Sequence, residues 1–290
     1  MKIQCVIFNY NLPNQTDETY NTLIKNNFPP DHITVVDNGS DKAPQALSTN
    51  LSLPFNVRFS GQANTTLQFL MTYRPSDYYL LITTSAKLDP ILNYMHICNL
   101  IIDELSESFG VVMASLVGGE TEKISPEQSH SDLIHHAKPY RSVYSAQPIM
   151  TLVSHQLLSI CYKNRAAYFN TNLKRGHGID IELQHMALTH GLTTFVSRDL
   201  WVHWKTNQAH KLKLADESAY EYRCQAQAEM EKCFAKRYGE QWEHQFRSQF
   251  AKLTDTKIKI TTINRYKFAS LRQLWYEIKL FIFKCKIKIK

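Results

Sequence analysis

Thr34-Val35-Val36-Asp37-Asn38-Gly39-Ser40 decides how the rest of the chain is read. A β-branched run ends on a carboxylate, and a polar turn containing a glycine follows at once. A continuous apolar run without polar alternation belongs to a strand buried on both faces, as in parallel sheets. At the carboxyl edge of such a strand an open α/β sheet places its nucleotide site. Asp37 there would accept hydrogen bonds from a base or ribose. The other reading is a strand closed by a plain Asn-Gly turn, and this stretch alone leaves the two open.

Working outward, Ile3–Phe8 reads as a second buried strand. Between the two, Tyr20, Leu23, Ile24 and Phe28 recur at helical spacing, and Pro29-Pro30 closes that helix. This is a β-α-β unit with a right-handed crossover. Further strands are predicted over 57–59, 77–82, 110–117, 142–153 and 193–202. Helices are predicted over 65–73, 90–108 and 180–190. Residues 118–142, rich in Ser, Glu and His, read as a long functional or mobile loop. Beyond Trp204 the pattern turns helical, with amphipathic stretches over 218–238 and 240–253 split by Gly239. The expected fold class is α/β. A Rossmann-like nucleotide half (about 1–115) and a mixed half (about 116–205) form one domain, 1–205. A helical extension (206–256) and a tail (257–290) follow.

The chain has 290 residues, 43% of them hydrophobic, enough for a large core. Its six cysteines show no Cys-x-x-Cys spacing and read as reduced thiols of a cytosolic protein. Nothing at the start resembles a signal peptide, and no apolar run reaches the roughly 18–20 residues that span a bilayer. The net charge is +7, but 257–290 holds ten Lys and Arg against one acid, Glu277, so the tail carries +9 and the rest −2. A body without a basic face argues against nucleic acid as a partner.

Three more segments join the opening one: Val6-Ile7-Phe8-Asn9-Tyr10-Asn11, Gly176-His177-Gly178-Ile179-Asp180-Ile181-Glu182-Leu183, and Val202-His203-Trp204. In this order the chain resembles the inverting GT-A glycosyltransferases of the large family 2, over residues 3–204, about 70% of its length. The resemblance implies that Asp37 contacts the base of a sugar nucleotide, with Asn9, Asn11, Asn38, Gly39 and Ser40 along the same edge. Phe59-Ser60-Gly61-Gln62-Ala63-Asn64 looks like the family's segment after strand three, so Gly61 and Asn64 would pass close to the nucleoside. Asp180 falls where the family keeps its general base. An acceptor hydroxyl must lose its proton as it attacks the anomeric carbon, and a carboxylate within ~3 Å can take it. Glu182 would orient the acceptor, or would simply be an acid in a first helical turn.

One departure stands out. Where the family carries an Asp-x-Asp-like motif for a divalent cation, this chain has Thr83-Thr84-Ser85, followed by Ala86-Lys87-Leu88-Asp89. Hydroxyls are weak ligands for Mg2+ or Mn2+. Either the metal is held mainly by the diphosphate and His203, or the enzyme works without a metal and cations such as Lys87 stabilise the leaving diphosphate; Thr83 and Ser85 would line the nucleotide. Lys138, Arg141 and Arg175 lie in loops toward the acceptor side, and Gln147 is placed to bond a sugar hydroxyl. His130, His135 and His136 fit no tetrahedral zinc spacing.

In the tail, Leu271, Leu274, Trp275, Ile278, Ile282 and Cys285 follow helical spacing among Arg272, Lys279, Lys286 and Lys290. A basic amphipathic helix suits an anionic membrane surface. The expectation is a cytoplasmic enzyme, peripheral on the inner face of the cytoplasmic membrane. It would move a sugar from a nucleotide donor (UDP or dTDP favoured, GDP also compatible) to a lipid-linked surface glycan such as lipopolysaccharide or capsule. Two rivals remain. A nucleotidyltransferase would want a Gly-rich basic loop after strand one, which Asn9-Tyr10-Asn11-Leu12-Pro13 is not. A catalytically inactive relative that binds a sugar nucleotide or glycan at the membrane is supported by the Thr83–Ser85 departure, while the intact Asp180 argues against it.

Overall fold

The computed structural model describes all residues except 89–92, 102–108, 119–125, 137, 205–210, 213, 216, 255–267 and 289–290. Strands β1 (Ile3–Asn9) and β2 (Ile33–Asp37) are buried at every position, as their unbroken apolar runs require. Helix α1 (Pro13–Lys25) links them, with Pro13 in its first turn, where a missing N–H costs nothing.

The chain then departs from expectation. The third strand is the short β3 (Leu51–Ser52), and the strand expected over 57–59 is instead the start of helix α2 (Arg58–Tyr73). Ala63, Thr66, Leu67 and Leu70 are buried at helical spacing, and that periodicity carries the helix back to Arg58. The segment Gly61–Asn64 is therefore helical and not a loop.

Strands β4 (Tyr78–Thr83), β5 (Ala86–Leu88) and β6 (Phe109–Val117) follow, with helix α3 (Tyr94–Asn99) between the last two. Of the helix expected over 90–108, the parts 90–92 and 102–108 lie outside the described residues. The described parts of 118–142 are folded. They hold a 3-10 turn at Pro126–Gln128, the short helix α4 (His130–Leu133) and β7 (Tyr140–Arg141), and Gln128 and Leu133 are fully buried. Strand β8 (Met150–Ser154) is shorter than the expected 142–153, and helix α5 (His155–Arg165) follows it. Helix α6 (Ile179–Thr189), strand β9 (Thr193–Trp204) and helices α7 (Ala219–Tyr238), α8 (Trp242–Thr254) and α9 (Ala269–Lys288) complete the chain.

The sheet runs β3-β2-β1-β4-β8-β6-β9-β5, with β7 on the first half of β9. Strands β1, β2, β4, β6 and β9 share one direction, since β8 runs antiparallel to both β4 and β6. Their carboxyl ends therefore reach one edge: Asn9, Asp37, Thr83, Val117 and the His203-Trp204 step. Residues 198–200 bulge out of β9 between its two pairing runs with β6, which resets the register and places His203 opposite Val117.

One face of the sheet packs on α1 and α3. The other packs on α2, α5 and α6, and Met230, Phe234, Trp242, Phe246 and Phe250 of α7 and α8 join that same core. Helix α9 is docked on α7. Arg272 sits in a buried fork with Glu231 (Nε–Oε1 2.7 Å, Nη2–Oε2 2.8 Å), while Trp242 Nε1 also donates to Glu231 at 3.0 Å. Arg272, expected among the lipid-facing cations, thus points into the protein. No helix among the described residues is long and apolar enough to cross a membrane.

Candidate functional site

The opening stretch builds a rigid corner. Asn9 and Asp37 are register partners at the ends of β1 and β2. The Asp37 carboxylate is fully buried. Its Oδ1 accepts from Asn9 Nδ2 (2.8 Å) and Ser40 Oγ (2.6 Å), and its Oδ2 from Ser40 N (2.9 Å). Asn11 adopts a left-handed backbone (φ 58°), and its Oδ1 caps the N–H groups of Asp41 and Lys42. Asn38 ties the turn to the next segment: its Oδ1 accepts from Val57 N at 3.0 Å, and its Nδ2 donates to Asn56 Oδ1 at 3.1 Å. Gly39 has φ +64°, and a Cβ there would lie 2.4 Å from the Phe55 backbone, so only glycine lets the turn approach.

Asp37, Asn9, Asn11 and Asn38 are thus internal struts. The surface that they shape is an open cleft of about 550 Å3 lined by Tyr10, Gly39, Ser40, Asp41, Phe55 and Asn56, among others. Tyr10 OH donates to Asp41 Oδ1 at 3.3 Å across its mouth. Tyr10, Asp41, Phe55 and Asn56 are not among the sequence-based site candidates; the exposure of Phe55 and the helix start at Arg58 that would mark them emerge only in the fold.

Gly61 and Asn64 do not face this cleft as a loop would. Asn64 Nδ2 donates to Ser60 O (2.9 Å) and Phe169 O (2.8 Å), and its Oδ1 accepts from the N–H groups of Tyr168 and Phe169, so it staples α2 to the 166–170 loop. Gln62, not singled out from sequence, reaches the corner instead and donates to Val36 O (3.1 Å) and Asn9 O (3.3 Å).

Asp180 opens α6 behind Gly178, whose φ of +83° turns the chain into the helix; a Cβ there would lie 2.7 Å from Met230. The Asp180 carboxylate is buried, and its Oδ2 accepts from Ser145 Oγ (2.8 Å) and Ala146 N (3.1 Å). Burial raises its pKa above the usual carboxylate value, against the pull of those hydrogen bonds and of the helix-start N–H groups. A carboxylate tuned upward is a better proton acceptor. Three residues past Ala146, Ile149 O accepts from Thr83 N (3.0 Å) at the end of β4. The irregular segment before β8 therefore joins Asp180 to the sheet edge, which is why it is not strand. Gln147, on that segment, donates its backbone N–H to buried Gln128.

Of the two readings offered for Glu182, the first-turn acid is the one that its place in α6 matches, and Arg175 is held within the protein. On a helix, residues two apart diverge by about 200°, so Glu182 points away from Asp180. It is buried against Arg165 (2.6 Å), Asn170 (2.9 Å) and Tyr238 (2.9 Å), a structural hub. Arg175 is paired with Glu217 and Glu229 and bonded to Gln225. Arg141 turns its Nε to Glu127 O at 2.7 Å. His130 bonds Ser115 Oγ at 2.9 Å and packs against Trp201 with the rings tilted by 36°.

At the edge itself, Thr83 Oγ1 and Ser85 Oγ lie 2.9 Å apart. Lys87 is exposed and is the register partner of half-buried His203. Among the described residues no group of three or more His, Cys, Asp or Glu could hold a metal ion; Asp89 lies outside them.

No family model matches the chain, and no curated protein matches it. Solved structures do match. The mannosyltransferase PcManGT from Pyrobaculum calidifontis, in complex with GDP-Man and Mn2+, aligns over 97% of this chain and 87% of its own, at 10% identity and a TM-score of 0.55. TarS 1–349 of S. aureus, in complex with UDP-GlcNAc, aligns over 90% of this chain and 77% of its own, at 14% identity and a TM-score of 0.56. Against the longer TarS chain the match spans 46% of that protein, at 16% identity and a TM-score of 0.53. Identities this low speak to fold and leave function to the site. The chain has the mixed α/β sheet with flanking helices of the GT-A glycosyltransferases and ends in helix α9.

Proposed function

We propose that the chain is an inverting glycosyltransferase that moves one sugar from a nucleotide donor to a glycan or glycolipid acceptor. The observation that carries this reading is Asp180. It is a buried carboxylate with a raised pKa, fixed by Ser145 and Ala146, and linked through Ile149 to the edge where the donor corner lies. In this reading the nucleoside occupies the cleft of Tyr10, Asp41, Phe55 and Asn56. Its base lies against an aromatic face, and Asp41 and Asn56 supply polar contacts. Asp37, Asn9, Asn11, Asn38, Gly39 and Ser40 hold that cleft in shape. Uracil or thymine remains the favoured base.

Residues 1–205 would form the catalytic domain and 206–256 an extension that buttresses α6. The tail 257–290 would rest on an anionic membrane surface, supported by the outward apolar stripe of α9 between lysines. This fits a peripheral enzyme at the inner face of the cytoplasmic membrane that extends a lipid-linked surface glycan.

A second reading, a sugar-nucleotide or glycan binder without turnover, is favoured by one observation, the hydroxyls at 83 and 85 in place of carboxylates. Incubation with a panel of UDP-, dTDP- and GDP-sugars separates the two. Slow hydrolysis of one donor, lost in Asp180→Asn, supports the transferase. Binding of a donor with no hydrolysis, and no transfer to a lipid-glycan extract, supports the binder.

A further inference from the structure

As the bond between sugar and diphosphate breaks, negative charge grows on the leaving oxygen, and a positive or hydrogen-bond-donating group must meet it. The sheet edge beyond Thr83 presents such groups from two strands. β5 and β9 run antiparallel, with Lys87 directly opposite His203, and His203 is in turn opposite Val117 at the end of β6. Side chains alternate between faces along a strand. Ala86, Leu88 and Val202 are buried in the core under α1 and α3. Lys87 and His203 therefore both project to the opposite face, the one that carries α6 and Asp180. His203 lies edge-on to Trp201 at 5.6 Å. Thr83 and Ser85 add two hydroxyls, already 2.9 Å apart.

This donor set does not suit a divalent cation. Mg2+ and Mn2+ select charged oxygens, and here the near groups are two neutral hydroxyls, an imidazole and an ammonium that repels a cation. The same groups suit an anion: Lys87, His203 and Ser85 can donate hydrogen bonds to phosphate oxygens, and Thr83, whose Oγ1 donates to Ile149 O at 3.3 Å, can do so by turning its hydroxyl.

We propose that the donor diphosphate is gripped directly by the Lys87 ammonium and the His203 imidazole N–H, paired across β5 and β9, with Thr83 and Ser85 as further donors and no metal ion between protein and phosphate. The proposal rests on the nucleotide-sugar reading above. In the transfer, the acceptor oxygen forms its bond to the anomeric carbon while the bond from that carbon to the diphosphate oxygen breaks. The electron pair stays on the diphosphate, where Lys87 and His203 meet it, and the acceptor proton passes to the Asp180 carboxylate.

Calorimetric titration tests this with UDP, dTDP and GDP and with the matching nucleosides, first in excess EDTA and then in millimolar Mn2+. In EDTA one diphosphate binds at least about tenfold tighter than its nucleoside, as a charge-assisted contact provides. Mn2+ changes that ratio less than about twofold. Lys87→Ala removes most of the tenfold gain and leaves nucleoside affinity intact, and His203→Gln removes part of it. A gain that requires Mn2+, or one that survives Lys87→Ala combined with His203→Gln, overturns the proposal. So does a gain lost in Asp89→Asn and kept in Lys87→Ala. If neither nucleosides nor nucleotides bind, the nucleotide-sugar reading itself falls; if nucleosides bind and the diphosphate adds nothing in EDTA, only the metal-free grip falls.

Discussion

Asp180 and Glu182 lie two residues apart on α6 and serve opposite sides of it. Asp180 accepts from Ser145 Oγ at 2.8 Å, while Glu182 clamps Arg165 at 2.6 Å. The two carboxylates therefore separate by experiment. Asp180→Asn keeps an acceptor for Ser145 and Ala146 but cannot take a proton, so transfer falls by roughly 10²–10⁴-fold with the fold intact. Glu182→Gln leaves Arg165 buried without its counter-charge and costs about 3–5 kcal/mol of stability. Donor turnover and urea unfolding, run on both variants, check this. A stable Glu182→Gln with lost activity would reverse the assignment.

If Asp180 is the base of the proposed transfer, it also links activity to pH. Its pKa is raised by burial, so the fold prefers the protonated acid. The sign follows from linkage. The contribution of Asp180 to stability is complete below its unfolded pKa, about 3.9, and is lost as pH rises through the raised folded value. Asp180→Asn has no such loss. Its melting temperature should match the wild type near pH 3.5–4 and exceed it at neutral pH, while the acid limb of wild-type transfer sits above the usual carboxylate range. Equal pH dependence in the two proteins would remove the burial argument.

The strand–turn chemistry of this protein is legible because it is local. The apolar runs of β1 and β2 and the positive-φ glycine at 39 are each set by a few adjacent residues. So is α6, opened by Gly178 and predicted to within one residue at each end. Helix α1, by contrast, stops at Lys25, before the prolines expected to close it, with Asn27 in a left-handed conformation. What escaped was long-range. Phe59 could not announce that it would pack against Phe8 and Phe169 from a helix and not from a strand. Arg175 reads as a free loop cation until α7 folds back and brings Glu217 and Glu229 to it. Nor does the sequence show that Asn9, nearly thirty residues before Asp37, donates to its Oδ1 and fixes the corner.

Gly39 gives a sharper test of the donor corner. A methyl group there meets the Phe55 backbone at 2.4 Å, at a backbone angle that L-residues avoid. Gly39→Ala should cost about 1–3 kcal/mol and also displace Phe55 and Asn56, so nucleoside affinity falls with it. Gly191→Ala is the control. It has φ +73° and open space around its Cβ, so it carries the backbone strain alone and leaves binding unchanged. Denaturant unfolding and nucleoside titration separate the two effects. If Gly39→Ala binds nucleosides as the wild type does, the cleft beside Phe55 is not the nucleoside site.

Helix α9 carries two faces with opposite fates under mutation. Inward, Arg272 is 5% exposed and forked onto Glu231, so Arg272→Ala strands a buried carboxylate and destabilises the α7–α9 packing. Outward, Leu271, Leu274, Trp275, Ile278, Phe281 and Ile282 are each between 37% and 69% exposed, an apolar stripe on a segment rich in lysine. Such a stripe lowers its free energy by entering the interface of a bilayer, with each nearby lysine adding roughly 1 kcal/mol on anionic lipid. Ile278→Asp with Phe281→Asp should keep the melting temperature and lose cosedimentation with vesicles containing phosphatidylglycerol. Wild-type binding should weaken as salt rises through the Debye screening range and be much lower on phosphatidylcholine alone. Deleting the tail is the poorer experiment, because it also exposes Glu231 and the α7 surface. Undiminished vesicle binding by the double aspartate variant would show that the stripe does not face lipid.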